Sequence, residues 1–195
     1  TIIDVVLPPD VKHSKVKEHQ VVIQKRTEAG CGTTMVYAFM TDGKFIQAEP
    51  FKERQIEFIG DSYTCGYGVD APNRMDKFTD ETENASRTYA SIVSRYFNAD
   101  YMTIAHSGRG ICRNAESKIP WEVMPDLYQY TLDRDSTTRW SVSSSEFRPD
   151  LTVIYLGAND FSGWMMPDHN KFRKGYMRLL SDVKTYYGAE HPILC

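Results

Sequence analysis

The stretch Ile56-Glu57-Phe58-Ile59-Gly60-Asp61-Ser62-Tyr63-Thr64 decides how the chain is read. Its first four residues form a short apolar strand, and the glycine after them lets the backbone turn sharply. Outward from this point, three more apolar runs recur: Tyr101-Met102-Thr103-Ile104-Ala105, Leu151-Thr152-Val153-Ile154-Tyr155-Leu156 and Ile193-Leu194. Intervals of roughly 35 to 45 residues leave room for the crossover helices that parallel strands require. Helical periodicity fills two of the gaps. Ser86 to Phe97 places Tyr89, Ile92, Val93 and Tyr96 on one face, and Phe172 to Tyr186 places Phe172, Tyr176, Leu179, Leu180 and Val183 on one face. The segment from Asn114 to Arg148, with Trp121, Trp140 and a serine run, is too long for a plain connector and is expected to cover a face or rim a site. Residues 53–195 therefore predict an α/β domain with a mostly parallel sheet.

Residues 1–52 read differently. Val21-Val22-Ile23 and Thr34-Met35-Val36-Tyr37-Ala38-Phe39 are β-branched and aromatic runs, separated by Glu28-Ala29-Gly30-Cys31-Gly32 and closed by Thr41-Asp42-Gly43. This pattern predicts two or three strands of an antiparallel β-sandwich, ending at a Glu49-Pro50-Phe51-Lys52 linker. Alone, such strands expose edges and an apolar face, so they are expected to belong to a larger domain. At the other end, Pro192-Ile193-Leu194-Cys195 reads as a strand just begun, and the whole is expected to be a portion of a longer polypeptide.

Composition narrows the function classes. In 195 residues, 41% are hydrophobic and 25% charged, which is globular rather than disordered. A formal net charge of −3 leaves no basic excess for a polyanion, so nucleic acid is not an expected partner. No run approaches the ~18 apolar residues of a membrane span. The four cysteines form no CxxC pair, which removes zinc-ribbon and thioredoxin-like motifs. Thr1-Ile2-Ile3-Asp4 shows neither an initiator Met nor a basic-apolar leader pattern, which leaves the compartment open.

In open α/β sheets, ligands bind beyond the carboxyl ends of the strands, where loops and helix amino termini converge. The strands here end in Gly60-Asp61-Ser62-Tyr63-Thr64, His106-Ser107-Gly108-Arg109-Gly110 and Gly157-Ala158-Asn159-Asp160. Acyl transfer needs a nucleophilic oxygen and donors aimed at a developing oxyanion, and Ser62, the Ser62 and Gly108 N–H groups and the Asn159 amide could supply them. Singly, each has a plainer role. Ser62 or Asp61 could cap a helix, Gly108 could be a strand-end turn, and Asn159-Asp160 could form an Asx turn. Their placement after three successive strands favours the site. Asp160 as a metal ligand lacks a His/Cys cluster of suitable spacing.

Those three signatures, in that order, resemble the SGNH (GDSL-type) hydrolases over residues 55–195. More narrowly, the stretch from Ile56 to Gly68, Glu83-Asn84-Ala85-Ser86 and Lys25-Arg26-Thr27-Glu28 look like carbohydrate esterase family 2. The resemblance implies a three-layer α/β/α fold with a parallel sheet, preceded by part of a jelly-roll β-sandwich over residues 1–52. It implies a secreted or cell-surface serine esterase that removes acetyl groups from plant-wall polysaccharides through an acyl-enzyme. It implies Ser62 as nucleophile and Ser62, Gly108 and Asn159 as oxyanion hole, with no metal or organic cofactor. The family's catalytic His lies in a later block than any of the five histidines here, although His106 and His169 are candidates by position. Tyr63 and Trp164 are the candidate sugar-binding rings, since flat apolar faces with polar handles suit carbohydrate. Cys65 and Cys112 fall near the first two signatures, where a disulfide is an alternative to buried thiols.

Overall fold

A computed structural model describes residues 18–115, 122–132, 135–163 and 166–195. Four strands, β1 (Arg54–Gly60), β2 (Ala99–Ala105), β3 (Leu151–Tyr155) and β4 (Ile193–Leu194), form one sheet in the order β2-β1-β3-β4. All three pairings are parallel, with Gly60 opposite Ala105 on one side and Tyr155 on the other. Helices α1 (Ser62–Cys65), α2 (Tyr89–Tyr96), α3 (Met124–Leu127) and α4 (His169–Tyr187) occupy the connections.

Strand alternation divides the core in two. Ile59 and Ile154 meet Ile111, Met124, Leu127, Tyr128, Leu179 and Val183, which are contributed by α3, α4 and the loop before them. Ile56 and Phe58 pack on the opposite face with Ala90 of α2 and Ala99. The three-layer α/β/α arrangement is therefore present. The long segment after Asn114 does cover a face: α3 lies against α4, where Arg178 reaches Asp126 at 2.5 Å, and Trp140 stacks edge-on against Tyr186 at 5.4 Å.

Two expectations are corrected. The helix begins at Tyr89, not Ser86, and its fully buried residues are Ala90, Ser91 and Ser94; of the expected face, Tyr89 and Val93 pack against the core beside them, while Ile92 and Tyr96 are 54% and 82% exposed. Small residues let α2 approach the sheet closely, and the two serine hydroxyls bond back to the Thr88 and Ala90 carbonyls. The strands expected at Val21–Ile23 and Thr34–Phe39 are also not formed; both runs are exposed, Tyr37 at 86%. A strand needs a neighbour for its backbone groups. Here the segment from Gln24 to Cys31 is held instead as a strap, through Ala85 N–H on the Arg26 carbonyl at 2.9 Å, the Gln24 amide on the Tyr101 hydroxyl at 2.9 Å and Arg26 on Asp70 at 3.0 Å.

Candidate active site

Strand β1 ends at Gly60, and α1 starts two residues later. Asp61 caps this helix, its buried carboxylate accepting the Tyr63 N–H at 3.1 Å. Ser62 is thus the first helical residue, where a backbone N–H has no intrahelical acceptor. Ser62 lines an open cleft of about 650 Å³ together with Tyr63, Tyr67, Arg87, Tyr89, Tyr155 and Asn159. The wall is aromatic and hydroxylic: Tyr63, 62% exposed, lies 5.7 Å from Tyr155, and Tyr67 stacks on Phe78 at 3.8 Å. Arg87, on the same wall, is anchored by Asp70 at 2.7 Å.

Asn159 reaches the cleft from the loop after β3. Its side-chain amide bridges the other two signatures, donating to Asp61 Oδ2 at 3.0 Å and to the Arg109 carbonyl at 2.8 Å. Both of its N–H groups are therefore engaged in tying the loops together. Asp160, fully buried, accepts the N–H groups of Ile111, Cys112 and Arg113 at 2.8, 2.7 and 3.0 Å. It organises the loop that carries Gly108 and Arg109 rather than binding a metal.

Gly108 does not itself line the Ser62 cleft. It sits in the loop after β2, which the strand register sets beside the Ser62 turn, with the His106 N–H on the Gly60 carbonyl at 3.4 Å. Its φ of +76° is a backbone conformation that glycine adopts at little cost. Among the described residues, neither the Ser62 nor the Gly108 N–H meets a protein acceptor.

The remaining expectations divide. None of the described histidines lines the cleft: His106 lies under the strap, 3.3 Å from Glu28; His169 opens α4 on the exposed surface; and His191 bonds Thr152 at 2.9 Å, on the α4 side of the sheet. Trp164 and Trp121 lie outside the described residues. Cys65 and Cys112 are free thiols, Cys65 buried beneath the strap. No described helix is long and apolar enough to cross a membrane.

Sequence reasoning missed Glu28 and Glu83. Glu28 lies on the strap with its side chain 8% exposed, and Oε2 accepts the Ser107 N–H at 2.7 Å. The fully buried Glu83 carboxylate accepts the Glu28 N–H at 3.0 Å and the Cys31 thiol at 3.2 Å. Burial raises the Glu83 carboxyl above its usual range and pushes the Cys31 thiol up to about 12. Ligand atoms of Glu28, Cys65 and Glu83 approach within 4.8 Å of one another. Burial pushes the Cys65 thiol far upward, and it donates to Glu28 Oε2 at 3.6 Å, so the trio is joined as a hydrogen-bonded cluster. The available signals were the Lys25-Arg26-Thr27-Glu28 and Glu83-Asn84-Ala85-Ser86 stretches, which carry the family resemblance but mark no role for either carboxylate.

Comparison with known proteins agrees with this geometry. The chain is 39% identical over 178 residues to the cellulase/esterase CelE of Acetivibrio thermocellus, covering 91% of this chain and 21% of CelE. It is 37% identical over 148 residues to an acetylxylan esterase / glucomannan deacetylase of Cellvibrio japonicus, covering 74% of this chain and 40% of that protein. A solved family two carbohydrate esterase from Clostridium thermocellum, in complex with cellohexaose, superposes with a TM-score of 0.69 at 39% identity, over 76% of this chain and 44% of that one. The chain thus spans less than half the length of each of these relatives. The model of the GDSL-like lipase/acylhydrolase family matches residues 58–194, which takes in the end of β1, the Ser62 turn, the Asn159 loop and both flanking layers, and the chain belongs to that family.

Proposed function

We propose that this chain carries the nucleophile and oxyanion hole of a serine esterase that removes acetyl groups from plant-wall polysaccharides. The observation that carries the reading is Ser62 at the start of α1, in one cleft with Asn159 and beside a loop whose Gly108 N–H is uncommitted. Ser62 Oγ attacks the acetyl carbonyl, and the Ser62 and Gly108 N–H groups receive the oxyanion. Asn159 joins them by turning one N–H from Asp61, whose carboxylate keeps the Tyr63 N–H. The acetyl group passes to Ser62 as an ester, the sugar hydroxyl leaves with a proton, and water then releases acetate. Relatives named as acetylxylan esterases and glucomannan deacetylases support the substrate class. The exposed Tyr63 ring offers a face for a sugar, and Trp164 is the second ring proposed for that role, since flat apolar faces with polar handles suit carbohydrate. A polymeric substrate too large to enter a cell supports a secreted or cell-surface location. Residues 1–52 are read as part of a jelly-roll β-sandwich, in which the runs at 21–23 and 34–39 would pair with strands that the described residues do not supply.

Ser62→Ala in the full-length protein is expected to abolish acetate release from an aryl acetate; undiminished turnover rules Ser62 out. Among the described residues the cleft is lined by four tyrosines, an arginine and an amide beside Val69 and Ala158, and its polar tips suit a sugar better than a long acyl chain. Acetylated xylo-oligosaccharides should therefore be turned over in preference to long-chain aryl esters. A second reading, a carbohydrate-binding fragment without turnover, is favoured by the lack of a histidine lining the cleft among the described residues. Saturable oligosaccharide binding with no acetate release would select it.

A further inference from the structure

We propose that Glu28, on the strap ahead of the catalytic domain, is a positioning residue that sets the aim of the oxyanion hole. The proposal rests on the esterase reading and adds to it a residue from outside the three strand-end signatures. Glu28 Oε2 accepts the Ser107 N–H at 2.7 Å and lies 3.3 Å from His106 Nδ1. The same Nδ1 lies 3.1 Å from the Ser107 carbonyl oxygen. Both neighbours of Nδ1 are acceptors, so Nδ1 carries the ring proton and shares it between them.

Ser107 is therefore held at both ends, its N–H by Glu28 and its carbonyl by the His106 ring that Glu28 also orients. That carbonyl and the Gly108 N–H belong to one planar, trans peptide unit and point in opposite directions. Fixing the carbonyl fixes the direction of the Gly108 N–H. The reach of Glu28 also extends to the other donor. The Cys65 thiol, on the last residue of α1, donates to the same Oε2 at 3.6 Å, and α1 is the helix whose first residue is Ser62. One carboxylate thus stitches the element bearing the Ser62 N–H to the loop bearing the Gly108 N–H.

Glu28 is itself immobilised. Its N–H donates to Glu83 at 3.0 Å, and Lys25 Nζ donates to its carbonyl at 2.7 Å. With a side chain only 8% exposed, it has few alternative rotamers to visit. The carboxyl group suits this position because its oxygens accept from several donors at once, which an amide of the same shape does more weakly. An oxyanion hole acts by preorganisation, so loosening one donor should raise the barrier to chemistry without weakening the binding of ground-state substrate.

The test compares Glu28→Ala, Glu28→Gln and Ser62→Ala in the full-length protein. Active sites are counted by end-point labelling with a fluorophosphonate, so that kcat is expressed per competent serine and unfolded protein is excluded. With an aryl acetate, Glu28→Ala is expected to lower kcat about ten- to a hundred-fold while KM stays within about two-fold. Glu28→Gln, which keeps an acceptor for Ser107, is expected to lose only about three- to ten-fold. Inhibition by a phenylboronic acid, whose tetrahedral adduct fills the oxyanion hole, should weaken by the same factor as kcat. A kcat per labelled serine within about two-fold of the parent in both variants, a loss confined to KM, or unchanged boronate affinity overturns the proposal. If Glu28→Ala gives no soluble protein, Glu28→Gln decides by the same measures. Full turnover by Ser62→Ala would instead overturn the esterase reading itself, whereas an inert Ser62→Ala beside fully active Glu28 variants removes Glu28 alone.

Discussion

Asp160 is fully buried, and both of its oxygens are used: Oδ2 receives the Ile111 N–H, and Oδ1 receives those of Cys112 and Arg113. The loop closes so tightly over it that a Cβ on Gly110 would lie 2.4 Å from Asp160 Oδ2 and 2.0 Å from the Arg113 carbonyl oxygen. Asparagine has the same outline but turns one acceptor into a donor. Its oxygen can serve Cys112 and Arg113, and its NH2 group then confronts the Ile111 N–H with no water to relieve it. Asp160→Asn is therefore expected to lower unfolding stability by about 2–3 kcal/mol, read from urea denaturation at constant m. An unchanged urea midpoint would show that the three N–H groups do not depend on the charged carboxylate. Since the same loop presents Gly108, the variant should also lose turnover, through displacement of that N–H and not through any contact with substrate.

Helix α2 shows how packing distance chooses residues. Ala90 and Ser94 face β1 and β2 with essentially no exposure, and larger side chains there would push the helix off the sheet. Ala90→Leu is expected to cost about 1–3 kcal/mol by overpacking, while Ile92→Ala, on the outward face, should stay within about 0.5 kcal/mol. Thermal unfolding of both variants checks the orientation, and the reverse ranking would mean that the apolar residues face inward after all. The helix was legible from periodicity but its buried face only in part: Tyr89 and Val93 pack inward as expected, whereas hydrophobicity also points to Ile92 and Tyr96, and close approach selects alanine and self-bonded serine. In α4 the two criteria coincide: Leu179 and Val183 are both the apolar and the buried residues, and the expected face is the observed one. The four strands were legible for a related reason, since strands covered by helices read as mostly apolar runs even where a polar residue such as Glu57 or Thr152 is buried among them. The placement of Ser62 and Asn159 in one cleft was legible because each follows such a strand. Glu28 was not, because its partners Ser107 and Cys65 are distant along the chain, and no local pattern marks a carboxylate that will be buried by a strap. The runs at residues 21–23 and 34–39 have strand composition, yet composition alone cannot supply the neighbour that a strand pairs with.

The sheet's separate pieces meet at Glu57, in the middle of β1 and wholly buried. Its carboxyl receives the Tyr187 hydroxyl of α4 at 2.9 Å, the Thr152 hydroxyl of β3 at 2.9 Å and the Tyr128 hydroxyl beyond α3 at 3.2 Å. Thr152 in turn meets His191, just ahead of β4, at 2.9 Å. Burial raises the Glu57 pKa, and the hydrogen bonds from Tyr187, Thr152 and Tyr128 offset this only in part. The folded protein therefore holds this proton to higher pH than the unfolded chain does. A group of that kind contributes stability that is fully present below its unfolded pKa, about 4.3, and is lost as pH rises through the folded value. His191 works the other way: burial lowers its pKa, so its contribution is present above its unfolded value and falls away on acidification. Because His191 is common to parent and variant, Glu57→Gln isolates the carboxyl. The amide imitates the protonated acid at every pH, so its stability relative to the parent should improve steadily as pH is raised from about 4 to about 8. Paired urea titrations across that range measure the difference directly. Parallel curves would mean that Glu57 titrates alike in the folded and unfolded states, and that the hydroxyls around it accommodate a full charge in the centre of the molecule.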